Sequence, residues 1–297
     1  MKILLFGKKG QVGSSIIKIS EDYKISSFDK SEINFVNVNK VTSLISSEKP
    51  DIIINAVAYT KVDEAEKNKD LCFQINARTV EEIAKTASKI GAVLIHFSTD
   101  YIFDGSSKNY YKEEDNAKPI NVYGKSKLAA EEAIVNSNCK YYILRTSWIV
   151  SENENNFLNT MVKLILKKEK IKVVHDQFGV PTTSDFIAKY VIKLIEKDFI
   201  NSEIFNLTPS GSTNWFEFAK YIKIKLSDLD NEIKNIEIKP IISKEYITPA
   251  KRPTNSILDS QKIQNFLQTK FERWEHYIDD LMRIKIEKIK SGEKIEI

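Results

Sequence analysis

Residues 1–19 read MKILLFGKKGQVGSSIIKI, and this stretch decides the fold. Lys2–Phe6 is a short apolar run that predicts a strand, while Val12, Ile16 and Ile17 recur at helical spacing beyond it. Between them Gly7, Gly10 and Gly13 form G-x-x-G-x-x-G. Such a turn lets backbone N–H groups and a helix N-terminus approach a pyrophosphate. An ordinary glycine turn would look the same in isolation. The chain has only 9 glycines in 297 residues, however, and places three of them directly after its first strand. Gly7, Gly10, Gln11, Val12 and Gly13 are therefore candidate dinucleotide contacts.

Working outward, Lys24–Phe28 predicts a second strand that ends at Asp29. An acid there accepts a hydrogen bond from an adenosine ribose 2′-OH and favours NAD, whereas a neighbouring cation accommodates the 2′-phosphate of NADP. Asp29 is followed by Lys30, so both cofactors stay open. Val38–Glu48 predicts a helix, and Pro50 leads into a third strand, Asp51–Asn55, whose DIIIN run suits burial on both faces. A helix with Ile83, Ala84, Ala87 and Ile90 on one stripe and Gly91 as its cap precedes the strand Ala92–Phe97; Lys140–Leu144 is a further strand. This alternation predicts an α/β fold, a doubly wound parallel sheet. In such sheets ligands gather outside the carboxyl ends of the strands, where Gly7, Ala56–Tyr59 and Thr99 all fall.

Composition bounds the function. A hydrophobic fraction of 42% and a charged fraction of 29% predict a globular chain with a sizeable core. The net charge of +4 comes from scattered lysines without a basic block, which argues against nucleic-acid binding. Cys72 and Cys139 are isolated, with no spacing that suggests zinc or a disulfide. No apolar run approaches the ~18 residues of a membrane span, and the run before Gly7 is too short for a signal peptide, so a cytoplasmic protein is expected.

Residues 98–127 read STDYIFDGSSKNYYKEEDNAKPINVYGKSK and hold the candidate chemistry. Tyr123 and Lys127 are four apart, on one face of a helix. A neighbouring ammonium lowers a phenol's pKa, which would prepare Tyr123 as a general acid. The spacing alone is weak, because Tyr221/Lys225 and Tyr141/Arg145 repeat it. Only Tyr123 follows a strand that ends in Ser98-Thr99-Asp100 and a loop containing Pro119. Thr99, Tyr123 and Lys127 are the expected catalytic set.

With these residues in place the first 150 resemble an extended short-chain dehydrogenase/reductase. The narrower resemblance is to the dTDP-4-dehydrorhamnose reductase family. It rests on GKKGQVG, NAVAYTKVDEAE (55–66), STDYIFDG (98–105), NVYGKSKLAAEE (121–132), LRTSWIV (144–150), Asn155-Asn156-Phe157, DQFGVPT (176–182) and TPAKRPTNSILD (248–259). The resemblance covers essentially the whole chain. It implies hydride transfer from NADPH, with NADH the alternative, to the C4 carbonyl of a nucleotide-linked sugar. Tyr123 would donate the proton, Lys127 would hold the nicotinamide ribose and Thr99 would orient the carbonyl oxygen. Ala56, Ala58 and Tyr59 would line the cofactor cleft. Thr60, Val62, Asp63 and Asp100 would flank the substrate, with Trp148 as an apolar wall, Asn156 as a hydrogen-bonding group and Arg252 on the pyrophosphate.

The resemblance also implies a smaller substrate domain from 151–180 and 201–297, with 181–200 rejoining the 1–150 dinucleotide domain. Helices are expected at Ser184–Lys197, capped by Ser184, at Asn214–Leu226 and at Arg273–Lys288, their aromatics in the core. Some family members are Mg²⁺-dependent homodimers, yet Glu287 and Glu293 assign no ligand. Lys251 stands where the family usually has a second arginine, and Asn34 and Asn37 replace acids. Two alternatives follow from the same residues: a reductase of another nucleotide-linked 4-keto-6-deoxysugar, or a non-catalytic nucleotide-binding regulatory subunit.

Overall fold

Strand β1 (Lys2–Phe6) lies between β2 (Lys24–Phe28) and β3 (Ile52–Asn55), parallel to both. The computed structural model describes residues 1–20, 23–152, 155–197 and 199–292. Beyond β3 come β4 (Val93–Thr99), β5 (Lys140–Thr146) and an edge strand, Glu203–Asn206, each parallel to its neighbour. The six-stranded order is therefore edge strand, β5, β4, β3, β1, β2. Chain direction across the sheet reverses at β1, and the crevice outside the carboxyl ends opens there.

The central strands β1, β3 and β4 are largely apolar on both sides because both faces are covered. On one face Ile3, Leu5 and Ile54 meet Ile16 of the first helix and Phe186, Ile187 and Val191 of the helix Ser184–Glu196. On the other, Leu4, Ile53, Leu94 and Ile143 meet Val41, Ile45, Ile83 and Ala87. Each such side chain contributes ~1.5–3 kcal/mol on burial, which fixes the register of the layers.

β4 and β5 run two residues further than their apolar patterns suggest. The ladder continues through Ser98 opposite Arg145 and Thr99 opposite Thr146. Arg145 is tolerated there because Glu131 pairs with it in a buried fork, at 2.7 Å to one carboxylate oxygen. The edge strand EIFN is too short to stand out from its polar surroundings in the sequence.

A second lobe has its own core of Leu158, Met161, Ile171, Phe218, Trp274 and Ile278. It is built from the helices Phe157–Leu166, Trp215–Leu226 and Trp274–Lys290 and a parallel strand pair, Ile171–Val174 with Ile238–Ile241. Ser184 is not the cap expected of it. Thr183 accepts from the Phe186 N–H, and Ser184 accepts instead from Ser15 of the glycine-turn helix, tying the two helices together. None of the described helices is long and apolar enough to cross a membrane.

Candidate active site

The dinucleotide end is formed by the glycine turn. Gly7 has φ +93° and donates its N–H to Phe28 at the end of β2, so the turn bends out of the sheet. Gly13 packs directly on it: a Cβ there would lie 2.1 Å from the Gly7 carbonyl oxygen. The helix Gln11–Lys18 that follows has no side-chain cap on its first turn. These open N–H groups and the helix dipole fit a pyrophosphate. Gln11 turns its side chain toward the second lobe, where Ser151 and Asn156 donate to it.

Asp29 ends β2 with its carboxylate held by Ser31 and an ion pair from Lys9 at 2.5 Å. Lys9 and Ser31 keep that carboxyl well below its ordinary range. Lys30, Val57, Ala58, Tyr59 and Thr60 share one cavity beside it. Thr60, expected near the substrate, thus sits with the adenosine-side residues, because the loop after β3 turns toward β2. Ala56 is hydrogen-bonded to Phe6 and passes against Gly7.

The candidate catalytic residues meet at the carboxyl end of β4. Asn121 caps the helix Val122–Val135 through the Gly124 N–H at 2.7 Å, and its amide donates to the Lys251 carbonyl of the second lobe. Tyr123 opens this helix, and Thr99 is the neighbour that favours the ionised form of its phenol. Thr99 in turn donates to Asp100 at 3.0 Å. Asp100 is buried, which pushes its carboxyl up to about 7 against the opposing influence of Ser256 and the Thr99 hydrogen bond.

One expectation fails here. Lys127 was to lower the Tyr123 pKa, yet burial raises that phenol, and the group that opposes the rise is Thr99. The reason is geometric: Lys127 Nζ is directed at His96 of β4, 3.1 Å away. Lys127 is itself 2% exposed, and burial pushes it down to about 8.

The second lobe adds a cavity of about 360 Å³, lined by Tyr101, Phe157, Met161, Trp215, Tyr246 and Arg252. Tyr101 links it to the catalytic residues, its ring edge-on to Tyr123 at 6.0 Å. Trp215, expected in the core, lines the cavity. Trp148, expected as the wall, stacks flat on Trp215 at 3.5 Å with its back to Gly179. Trp148 adopts φ +45°, a left-handed conformation that costs a bulky residue roughly 1–3 kcal/mol. Arg252, expected on the pyrophosphate, forms a two-pronged pair with Asp63 at 2.7 and 3.1 Å. Val62 precedes Asp63 in the short helix Val62–Ala65. Asn156 caps Phe157–Leu166 and bonds Gln11, which places it beside the glycine-turn helix.

Sequence reasoning passed over Asn55, His96, Tyr101 and Gly124. A histidine inside the apolar run AVLIHF was the available signal for His96. Gly124 could be recognised only from the fold, where a Cβ would lie 2.1 Å from the Tyr101 carbonyl. Among the described residues no three His, Cys, Asp or Glu side chains gather in a way that could hold a metal ion, so Mg²⁺ has no fitting site there. Glu287 is exposed, and Glu293 lies outside the described residues.

Comparison with known proteins agrees with this geometry. The family model described as RmlD substrate binding domain matches residues 1–285. A dTDP-4-dehydrorhamnose reductase of Aggregatibacter actinomycetemcomitans is 36% identical, the alignment covering 94% of this chain and 98% of the relative. The crystal structure of a Clostridium acetobutylicum dTDP-4-dehydrorhamnose reductase superposes with a TM-score of 0.88 at 33% identity, covering 96% of this chain and 99% of that one. The Bacillus anthracis dTDP-4-dehydrorhamnose reductase, solved in complex with NADP, gives 0.86 at 35% identity over 96% and 99%. With the family model over residues 1–285 and relatives above 30% identity along nearly the whole of both chains, this chain belongs to the RmlD family of dTDP-4-dehydrorhamnose reductases.

Proposed function

We propose that this protein reduces the C4 keto group of dTDP-4-dehydro-L-rhamnose to give dTDP-L-rhamnose. The observation that carries the reading is the buried Tyr123 phenol with Thr99 as its neighbour at the end of β4, between the glycine turn and the Trp215 cavity. NADPH, when bound, supplies the hydride. Gly10, Gln11, Val12 and Gly13 would hold its pyrophosphate, Lys9 and Lys30 would face the adenosine 2′-phosphate, and Lys127 would hold the nicotinamide ribose.

The chain's own chemistry is proton delivery. As the C4 oxygen becomes an alkoxide, Tyr123 donates its phenolic proton, and the alkoxide is basic enough to take it. A phenol whose pKa is raised by burial stays protonated until that moment. Thr99 orients the carbonyl oxygen beside Tyr123, and the low-dielectric site strengthens both contacts. Residues 1–150 and 181–200 form the dinucleotide domain in this reading, and 151–180 with the chain from 201 onward forms the sugar-nucleotide domain. Asp63 releases Arg252 for the substrate pyrophosphate, since a phosphate offers the guanidinium the same two-pronged match with more charge.

The test follows NADPH oxidation by absorbance with dTDP-4-dehydro-L-rhamnose generated in situ. Turnover that falls ~10²–10⁴-fold in Tyr123→Phe, with NADPH binding retained, supports the reading. Wild-type protein that binds NADPH yet leaves this sugar unreduced overturns the substrate assignment.

A further inference from the structure

Behind Lys127 runs a chain of buried polar atoms that the reduction itself does not use. The Val57 N–H donates to Asn55 Oδ1 at 3.1 Å. Asn55 Nδ2 lies 3.2 Å from His96 Nδ1, and His96 Nε2 lies 3.1 Å from Lys127 Nζ. Asn55, His96 and Lys127 are exposed by 1%, 0% and 2%, so their hydrogens must be placed within the chain itself.

The placement has one consistent solution. Val57 needs an acceptor, which orients the Asn55 amide with its oxygen toward Val57 and its NH₂ toward His96. His96 is neutral, because burial pushes it well below its ordinary range. A neutral imidazole has one N–H. With Nδ1 accepting from Asn55, that hydrogen is on Nε2 and points at Lys127. An ammonium has only donors and would oppose it, whereas an amine has a lone pair to accept it.

We infer that Asn55 and His96 select the neutral amine of Lys127 in the free protein, so that dinucleotide binding at mildly alkaline pH draws one proton from solvent onto Lys127 Nζ. The balance is simple: Nζ gains a proton, its lone pair is used, and the His96 Nε2–H loses its acceptor. The ammonium then turns from His96 to the ribose hydroxyls, which accept. Protonation and the swing toward the cofactor are one event. Other groups facing Lys127 do not reverse this. Glu131, one turn along the helix, favours the ammonium, but its charge is taken up by Arg145. Cys72, from the helix Lys69–Phe73, has its thiol pushed up by burial and stays neutral. Burial of Lys127 acts in the same direction as His96.

The inference rests on dinucleotide binding but not on the sugar, and its test is independent of turnover. Calorimetric titration with NADPH in buffers of different ionisation enthalpy reads proton uptake. It should rise from near zero at pH ~7 toward one proton per site at pH ~9, following the Lys127 pKa. The 2′-phosphate, with pKa ~6, is fully ionised throughout the upper range and adds nothing. Lys127→Met should remove the uptake. Asn55→Asp should remove it too, because a carboxylate oxygen facing Nδ1 takes the imidazole hydrogen and leaves Nε2 as an acceptor for the ammonium.

With 3 histidines in the chain, nitrogen NMR of the free protein at pH ~9 should give the Nε2–H tautomer for His96. A Nδ1–H tautomer in the wild type overturns the inference, as does uptake that stays near zero at pH ~9 or persists unchanged in Lys127→Met. If Asn55→Asp does not fold, the wild-type tautomer and Lys127→Met still decide the matter. NADPH binding without proton uptake would sink this inference while leaving the reductase reading intact.

Discussion

Gly124→Ala is a one-carbon change that should disable the site without touching a reactive group. Gly124 follows Tyr123 in the first turn of its helix, where the backbone passes the Tyr101 carbonyl. A Cβ at 124 would sit 2.1 Å from that oxygen and 2.9 Å from its carbon, whereas ordinary contact begins at 3.4 Å. Restoring contact therefore needs a shift of about 1.3 Å. Both neighbours are backbone, so no side chain can rotate away. The helix start is pinned by Asn121, and Tyr101 follows the Thr99-Asp100 end of β4, so displacement parts Tyr123 from Thr99.

A misplacement of ~1 Å costs ~10²-fold in rate, and overpacking of this kind costs ~1–3 kcal/mol. The expected result is kcat down ~10²-fold and a melting temperature lower by ~2–4 °C for each kcal/mol, with NADPH affinity changed less than ~3-fold. Gly91→Ala is the control for strain without contact, since Gly91 has φ +75° and open space around it. A Gly124→Ala protein with kcat within ~3-fold of wild type would refute the claim that this close approach sets the proton donor.

Asp100 should make stability depend on pH in an unusual direction. Its folded pKa of about 7 lies above the ordinary carboxyl value, so the unfolded chain loses the proton first and this residue's contribution declines from pH ~4 to ~7. Denaturant unfolding of Asp100→Asn against wild type across that range should show a difference growing by up to about 4 kcal/mol in favour of the variant, and a flat difference would refute the shift. Glu131→Gln should cost ~3–5 kcal/mol by leaving the Arg145 guanidinium buried without its charge partner, read as a lower denaturation midpoint. Adding Arg145→Met should recover part of that loss, and a double variant no more stable than the single one would count against the ion-pair account.

The first sheet was legible because its signals are local. An apolar run such as IIIN at 52–55 must be buried on both faces wherever it folds, and G-x-x-G-x-x-G after a strand permits few geometries. Tyr123 and Lys127 were legible for the same reason, since a helix places residues four apart on one face. The lengths of β4 and β5 were not, because their last residues are polar and persist through a ladder and a buried Arg145–Glu131 pair supplied by different elements.

The second lobe and the partners of each site residue belong to the tertiary structure alone. Trp215 rather than Trp148 lines the cavity because two rings distant in the chain stack, and the chain order says nothing about which lies in front. Arg252 meets Asp63 across 189 positions, and Lys127 meets His96 across 31. From the amino-acid order alone came the sheet, the glycine turn and Thr99, Tyr123 and Lys127 as catalytic candidates, all read from local pattern and order. Which atom each residue faces, and hence its charge and its readiness to give up a proton, was decided only by packing between elements, because desolvation and hydrogen bonding depend on neighbours that no local pattern specifies.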